Sequence, residues 1–170
     1  MTTLPTYAQV LELPETIRRT VPVEYLDEND HMNIGRYLEV AAEAVWFRYT
    51  AIGMGQAYID ERRLTTFTVE HHLRYLSELR LGDDFSVHVR PIERSAKALH
   101  SMAFVLDRTR ERLAFTFEDM LVHVGMDTRR TQDFPDDIAT ALDGTIAAAA
   151  GLDWHAPVCG VMGIRRRERV

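Results

Sequence analysis

The sequence predicts an α+β fold in which one long helix packs against an antiparallel sheet of five strands. Apolar residues recur at helical spacing from Ile34 to Ile52, and Gly53 ends this run. Between residues 66 and 124, apolar and polar residues alternate in four consecutive segments separated by short turns, which indicates antiparallel strands. A fifth strand is predicted from Arg19 to Leu26, and Pro22 places it at a sheet edge or at a strand start.

These elements follow one another in a single domain, predicted for residues 19–150. The four later strands are expected near residues 66–75, 85–91, 100–106 and 113–124, and a last helix near 136–150. Residues 1–18 contain two prolines and are predicted to form an N-terminal arm. Residues 151–170 are predicted to form a C-terminal tail with a solvated, arginine-rich end.

A five-stranded antiparallel sheet wrapped around one helix is the hotdog arrangement. One helix can cover only one face of such a sheet, and a strand at its edge stays unpaired. We therefore expect a homodimer, with a dimer of dimers as a further possibility.

Composition argues against several functional classes. The formal net charge is −6, so the chain lacks the basic surface expected of a nucleic-acid-binding protein. Cys159 is the only cysteine, and neither it nor the seven histidines have the spacing of a metal site. The N-terminal residues lack the apolar core of a secretory signal, and no segment is apolar for long enough to span a bilayer. We expect a cytoplasmic protein with no metal, no membrane partner and no nucleic acid partner.

One polar segment, residues 27–37, joins the first strand to the start of the long helix. The first N–H groups of a helix have no acceptor within it and carry the positive end of its dipole, so they can stabilise an oxyanion. A carboxylate such as Asp27 just before them can activate water or attack directly, and Gly35 would let a substrate approach the backbone. By residue type alone, the favoured alternative is that an acidic residue only caps the helix and that His31 is a turn residue.

Residues 23–37 resemble the signature of the 4-hydroxybenzoyl-CoA thioesterase-like hotdog enzymes: an aspartate, three residues, His-(Val/Met)-Asn and a tyrosine on the helix. The similarity continues through residues 67–75, 81–83, 97–100 and 116–123, and this longer set looks most like the betainyl-CoA thioesterase branch. The resemblance implies a thioester hydrolase for a short, polar or betainyl-like acyl-CoA. CoA would be part of the substrate, with no separate cofactor.

The resemblance also implies roles for individual residues. Asp27 matches the catalytic aspartate, which acts as a nucleophile or as a base for water. The backbone N–H of Ile34, with Gly35 beside it, matches the oxyanion donor. His31 and Asn33 match the residues that order the loop and contact the thioester or the water.

Three other residues are candidates for substrate binding besides Gly35 and Tyr37 of the motif: Trp46 on the helix, and Glu70 and His72 on the strand after it. A quaternary ammonium group would favour a carboxylate and aromatic faces, so Glu70 could contact the acyl group or assist the catalytic aspartate. The alternatives are core packing for Trp46, and solvent exposure or cross-strand pairing for the polar residues, including Glu118 and His123.

Two positions depart from the family pattern and keep other functions open. Asp30 stands where glycine is common, and Ile34 stands where many relatives have a second asparagine. A non-catalytic acyl-CoA-binding hotdog protein is therefore one alternative. A hotdog enoyl-CoA hydratase is weaker, because those enzymes resemble an aspartate and a histidine separated by four residues, whereas Asp27 and His31 have three between them.

Overall fold

The computed structural model describes residues 3–164 and has the predicted α+β architecture. The five strands are β1 (Glu15–Thr20), β2 (Leu64–Tyr75), β3 (Asp84–Arg94), β4 (Ala98–Asp107) and β5 (Arg112–Gly125). They form one antiparallel sheet in the order β1-β3-β4-β5-β2, so β1 and β2 are its edges. The helices are α1 (Tyr7–Val10), α2 (Ile34–Thr50), α3 (Gln56–Arg62) and α4 (Asp136–Ala150). The predicted hotdog arrangement is confirmed.

Helix α2 lies across the sheet because one of its sides is apolar and partly made of small residues. The α2 residues buried against the strands are Tyr37, Val40, Ala41, Ala44, Val45 and Tyr49. Helix α4 contributes Ile138 and Leu142 to the same core. We call the side of the sheet that faces α2 the inner face. None of the helices within residues 3–164 is long and apolar enough to cross a membrane.

The start of the chain differs from the prediction. Strand β1 begins at Glu15 and ends at Thr20, and a short 3-10 turn, Val23–Tyr25, follows it. Pro22 has no N–H to donate to a sheet ladder, so the chain leaves the sheet before it. The residues predicted as an arm also pack, since Val10 and Leu13 are buried.

The outer face of the sheet is not left open, contrary to the reasoning that predicted a dimer from it. The two ends of the chain cover it with a second apolar cluster: Val10, Leu13, Met102, Phe104, Leu106 and Trp154. Polar residues of this face, such as His88, His100 and Glu118, are therefore buried rather than solvated. The arginine-rich end, 165–170, lies outside the described residues.

Candidate active site

Asp27 is held by the loop that leads into α2. Its Oδ1 accepts hydrogen bonds from the backbone N–H groups of Asn29 (2.9 Å) and His31 (3.4 Å). The Asp27 N–H donates in turn to the His31 carbonyl oxygen (2.8 Å). Within residues 3–164, Asp27 Oδ2 has no hydrogen-bond partner. The loop therefore fixes a half-buried carboxylate and leaves one of its oxygens available to a ligand.

Asp30 has the backbone conformation that explains why glycine is common at this position in the family. Its φ is 59°, in the left-handed region that glycine adopts freely and aspartate tolerates better than most residues. Its N–H donates to the Asp27 carbonyl oxygen (3.2 Å). The turn that orders the loop is therefore kept without glycine.

The first turn of α2 presents one unpaired backbone donor. Asn33 caps the helix, since its Oδ1 accepts a hydrogen bond from the Gly35 N–H (2.9 Å). The Ile34 N–H has no acceptor among the described residues, as expected for the first position of a helix. The Tyr75 hydroxyl donates to the Ile34 carbonyl oxygen (3.1 Å) and so ties the end of β2 to the helix start. The donor that remains for an oxyanion is the Ile34 N–H, because the Gly35 N–H is used by the cap.

His31 is oriented by a residue that the sequence did not single out. Its Nε2 lies 2.7 Å from Glu78 Oε2, and Glu78 also pairs with Arg80. Glu78 follows β2 in a segment without a motif, so no signal in the sequence connects it with His31. The contact between His31 Nε2 and Glu78 fixes one edge of the imidazole.

Four predicted site residues line one surface depression with a volume of about 360 Å³: Asp27, His31, Ile34 and Tyr37. Tyr37 is buried, and its hydroxyl accepts a hydrogen bond from the Leu79 N–H (2.8 Å) and lies 3.4 Å from the Ser77 carbonyl oxygen. Burial raises the pKa of Tyr37 to about 12. Tyr37 therefore forms a neutral wall of the depression, which we call the helix-start site.

A second cavity, of about 170 Å³, lies near the other end of α2, between this helix and strands β2 and β5. Among the predicted site residues only Trp46 lines it. Much of the rest of its wall is formed by Tyr49, Phe117, Asp119 and three threonines of β2: Thr65, Thr66 and Thr68. Asp119 is 2% exposed, and burial raises the pKa of its carboxyl to about 7. We call this the Trp46 cavity; its lining is mostly apolar with one carboxyl group.

Glu70 and His72 are not brought to either place. The pairing of β2 with β5 shifts register between Thr68 and Glu70, which exchanges the faces that alternate residues occupy. His71 therefore faces inward against Phe117, with ring centroids 4.5 Å apart. Glu70 and His72 belong to the outward set, so the prediction that Glu70 assists Asp27 finds no support in their positions.

Glu118 is the centre of a buried polar cluster on the outer face. Its Oε1 accepts a hydrogen bond from His100 Nε2 (2.9 Å), and its Oε2 accepts one from the Cys159 N–H (2.7 Å). His72 Nδ1 lies 3.9 Å from Glu118 Oε2. His72, Glu118 and Cys159 bring potential metal-ligand atoms within 4.8 Å of one another, but both Glu118 oxygens already serve as acceptors. The absence of a metal therefore stays a prediction.

Comparison with known proteins decides the family. Residues 21–142 match the sequence model of the thioesterase-like superfamily. The chain belongs to this superfamily. A betainyl-CoA thioesterase of Pseudomonas aeruginosa is 29% identical over 158 residues, which cover 92% of this chain and 97% of that protein. The predicted family, the thioesterase-like superfamily, is confirmed.

Other relatives are longer. The L-carnitine dehydrogenase/betainyl-CoA thioesterase of Agrobacterium fabrum is 32% identical over 145 residues, 85% of this chain but only 29% of that protein. The corresponding protein of Ruegeria pomeroyi is 30% identical and is covered over 28% of its length. The chain thus spans less than a third of these two-function relatives.

Solved structures agree with the fold. A Staphylococcus aureus protein in complex with CoA superposes with a TM-score of 0.80 at 27% identity, over 90% of this chain and 97% of that one. A 1,4-dihydroxy-2-naphthoyl-CoA thioesterase from Synechocystis superposes with a TM-score of 0.67 at 15% identity, over 75% and 93% of the two chains. The second similarity supports the fold alone.

Proposed function

We propose that this superfamily member hydrolyses a short, polar acyl-CoA with a betainyl-like acyl group to the free acid and CoA. The observation that carries the proposal is the pairing, in one depression, of the Asp27 carboxylate with the unpaired Ile34 N–H at the start of α2. The name of the P. aeruginosa relative and the CoA held by the S. aureus protein support the substrate class.

Asp27 and the Ile34 N–H have complementary tasks in this reaction. With Asp27 as general base, the water oxygen bonds to the thioester carbonyl carbon and its proton passes to the carboxylate. The Ile34 N–H donates to the resulting oxyanion, and the C–S bond then breaks to release CoA as the thiolate, which takes up a proton. Direct attack by Asp27 would instead form an anhydride that water opens. His31, held by Glu78, faces the thioester in either route.

The helix-start site would hold the thioester and the Trp46 cavity would hold the acyl group, but these two places lie far apart in one chain. Ile34 and Trp46 are separated by about 18 Å along α2, because an α-helix rises about 1.5 Å per residue. A short acyl group cannot span that distance. The helix-start site and the Trp46 cavity of one chain therefore serve different substrate molecules, or different parts of a site that two chains share.

We propose a homodimer in which the free edges of two β2 strands pair, so that two chains share one site. Phe67 and Val69 on this edge strand are 38% and 56% exposed. Antiparallel pairing of two β2 strands about a two-fold axis places the Tyr75 end of one beside the Leu64 end of the other. Tyr75 marks the helix-start site, and the opposite end of β2 lines the Trp46 cavity. Each helix-start site then adjoins the cavity of the partner subunit. Assembly into a dimer of dimers stays a prediction.

The proposed substrate class is tested by release of free thiol from a panel of CoA esters: betainyl, short aliphatic and aromatic. We expect the largest kcat/KM for the betainyl ester. Turnover confined to aromatic esters would contradict the polar substrate class. No turnover of any ester would contradict the proposed reaction.

A further inference from the structure

We infer that Asp119 binds a cationic head group of the acyl chain inside the Trp46 cavity and so determines specificity. The inference rests on the proposed function, and it assigns the charge-recognition role to a residue on β5 rather than to Glu70. Asp119 lies on the inner face of β5, in phase with Phe117 and Leu121, which also line the cavity.

Asp119 is a buried carboxyl group that lies beside the ring of His71. Its Oδ1 makes no hydrogen bond among the described residues, although His71 Nε2 lies 3.1 Å away. Burial lowers the pKa of His71, which disfavours the charged imidazole that would neutralise the carboxylate. A buried carboxylate without a full positive charge beside it is unfavourable, so a cation that enters the cavity stabilises it.

The walls of the cavity suit a cation that has no hydrogen to donate. Trp46 and Tyr49 present aromatic side chains to the cavity, and the electron-rich face of an aromatic ring attracts quaternary ammonium groups. Thr65, Thr66 and Thr68 add uncharged oxygens along β2. One carboxylate among aromatic and apolar walls recognises a compact, fully alkylated cation by charge and shape.

The other charged and titratable groups around Asp119 are engaged, stay neutral or line another depression. His100, on β4, is held by Glu118 on the outer face. Burial raises the pKa of Tyr49 above its usual range, so its hydroxyl is neutral. Arg48, the neighbour of Tyr49 on α2, is charged, but it lines a different depression, together with Glu12 and Thr145. The charge that a ligand meets in the cavity is therefore that of Asp119.

The sharpest test compares betainyl-CoA with 3,3-dimethylbutanoyl-CoA, in which carbon replaces the ammonium nitrogen and the shape is kept. Asp119→Asn should lower kcat/KM for the cationic ester by about 10- to 100-fold and change that for the neutral ester by less than about threefold. An equal loss for both esters would show that Asp119 only supports the fold and would overturn the inference. No loss for either ester would overturn it as well.

Two further measurements keep this test separate from that of the proposed function. Binding of glycine betaine by calorimetry needs no hydrolysis, and we expect Asp119→Asn to abolish it. Binding to both proteins alike would overturn the inference. The affinity of the wild type should also rise about tenfold from pH 6 to pH 8 as Asp119 ionises, and a flat profile that matches Asp119→Asn would contradict it.

Discussion

The free energy of unfolding of Asp119→Asn, taken relative to that of the wild type, should be higher at pH 8 than at pH 4. Burial raises the pKa of Asp119 to about 7, whereas the usual pKa of an aspartate is 3.8. Between these two values the folded state keeps a proton that the unfolded state releases, so the wild type loses stability as pH rises through this window. Each pKa unit corresponds to about 1.4 kcal/mol, so the total loss by pH 8 is about 4 kcal/mol.

The measurement is the free energy of urea-induced unfolding of wild type and variant at both pH values. The variant carries no proton to lose, so its stability relative to the wild type should improve by about 2–4 kcal/mol between pH 4 and pH 8. Asp60→Asn, which replaces an exposed carboxylate that accepts from Gln56, is the matched control and should show no such improvement. The reasoning would be refuted if the free energy of unfolding of Asp119→Asn differed from that of the wild type by the same amount at both pH values.

Three further predictions concern the shared site, the outer face and the helix cap. When chains that carry Asp27→Asn are mixed with chains that carry Asp119→Asn, the mixture should regain about a quarter of wild-type betainyl-CoA turnover. Half of the dimers then contain one chain of each kind, and each of these dimers has one intact site of two. Activity no higher than that of either variant alone would contradict a site shared between subunits. Glu118→Ala should lower the free energy of unfolding by about 3–5 kcal/mol, because it leaves the buried donor of His100 and the half-buried N–H of Cys159 unpaired. The exposed Glu39→Ala should change the free energy of unfolding by less than about 1 kcal/mol, and similar effects of the two variants in chemical denaturation would count against the buried cluster. Asn33→Ala should cost about 1 kcal/mol by removing the cap of α2, and an unchanged thermal midpoint would exclude that role.

Much of the fold could be predicted because its main signals are local. The spacing of apolar residues in α2 and the alternation in β2 to β5 depend on neighbours in the chain, and the structure has these elements close to the predicted bounds. The packing of Val10, Leu13 and Trp154 on the outer face could not be predicted in the same way. It joins segments from opposite ends of the chain, and the polar residues of that face resemble solvent-exposed ones until their partners are known.

The candidate site was predicted in part for the same reason. Asp27, His31 and Ile34 lie within one short segment, and they line one depression. Glu70 and Trp46 were placed together because a quaternary ammonium group favours a carboxylate and aromatic faces, and the register shift after Thr68 cannot be seen in the sequence. One available signal was missed. Asp119 follows Phe115 and Phe117 at every second position of β5, so its carboxylate belongs to the side of the strand that faces the core.

Asp27 is the reactive group of the proposed hydrolysis, and release of thiol from betainyl-CoA measures that role. Asp27→Asn removes the reactive carboxylate and keeps the acceptor for the loop N–H groups. Asp30→Asn makes the same substitution three residues later, at a φ that asparagine also tolerates. We predict that Asp27→Asn lowers kcat by at least about 100-fold with binding of CoA retained, and that Asp30→Asn stays within about fivefold of wild type. Equal turnover by Asp27→Asn and wild type would contradict the account.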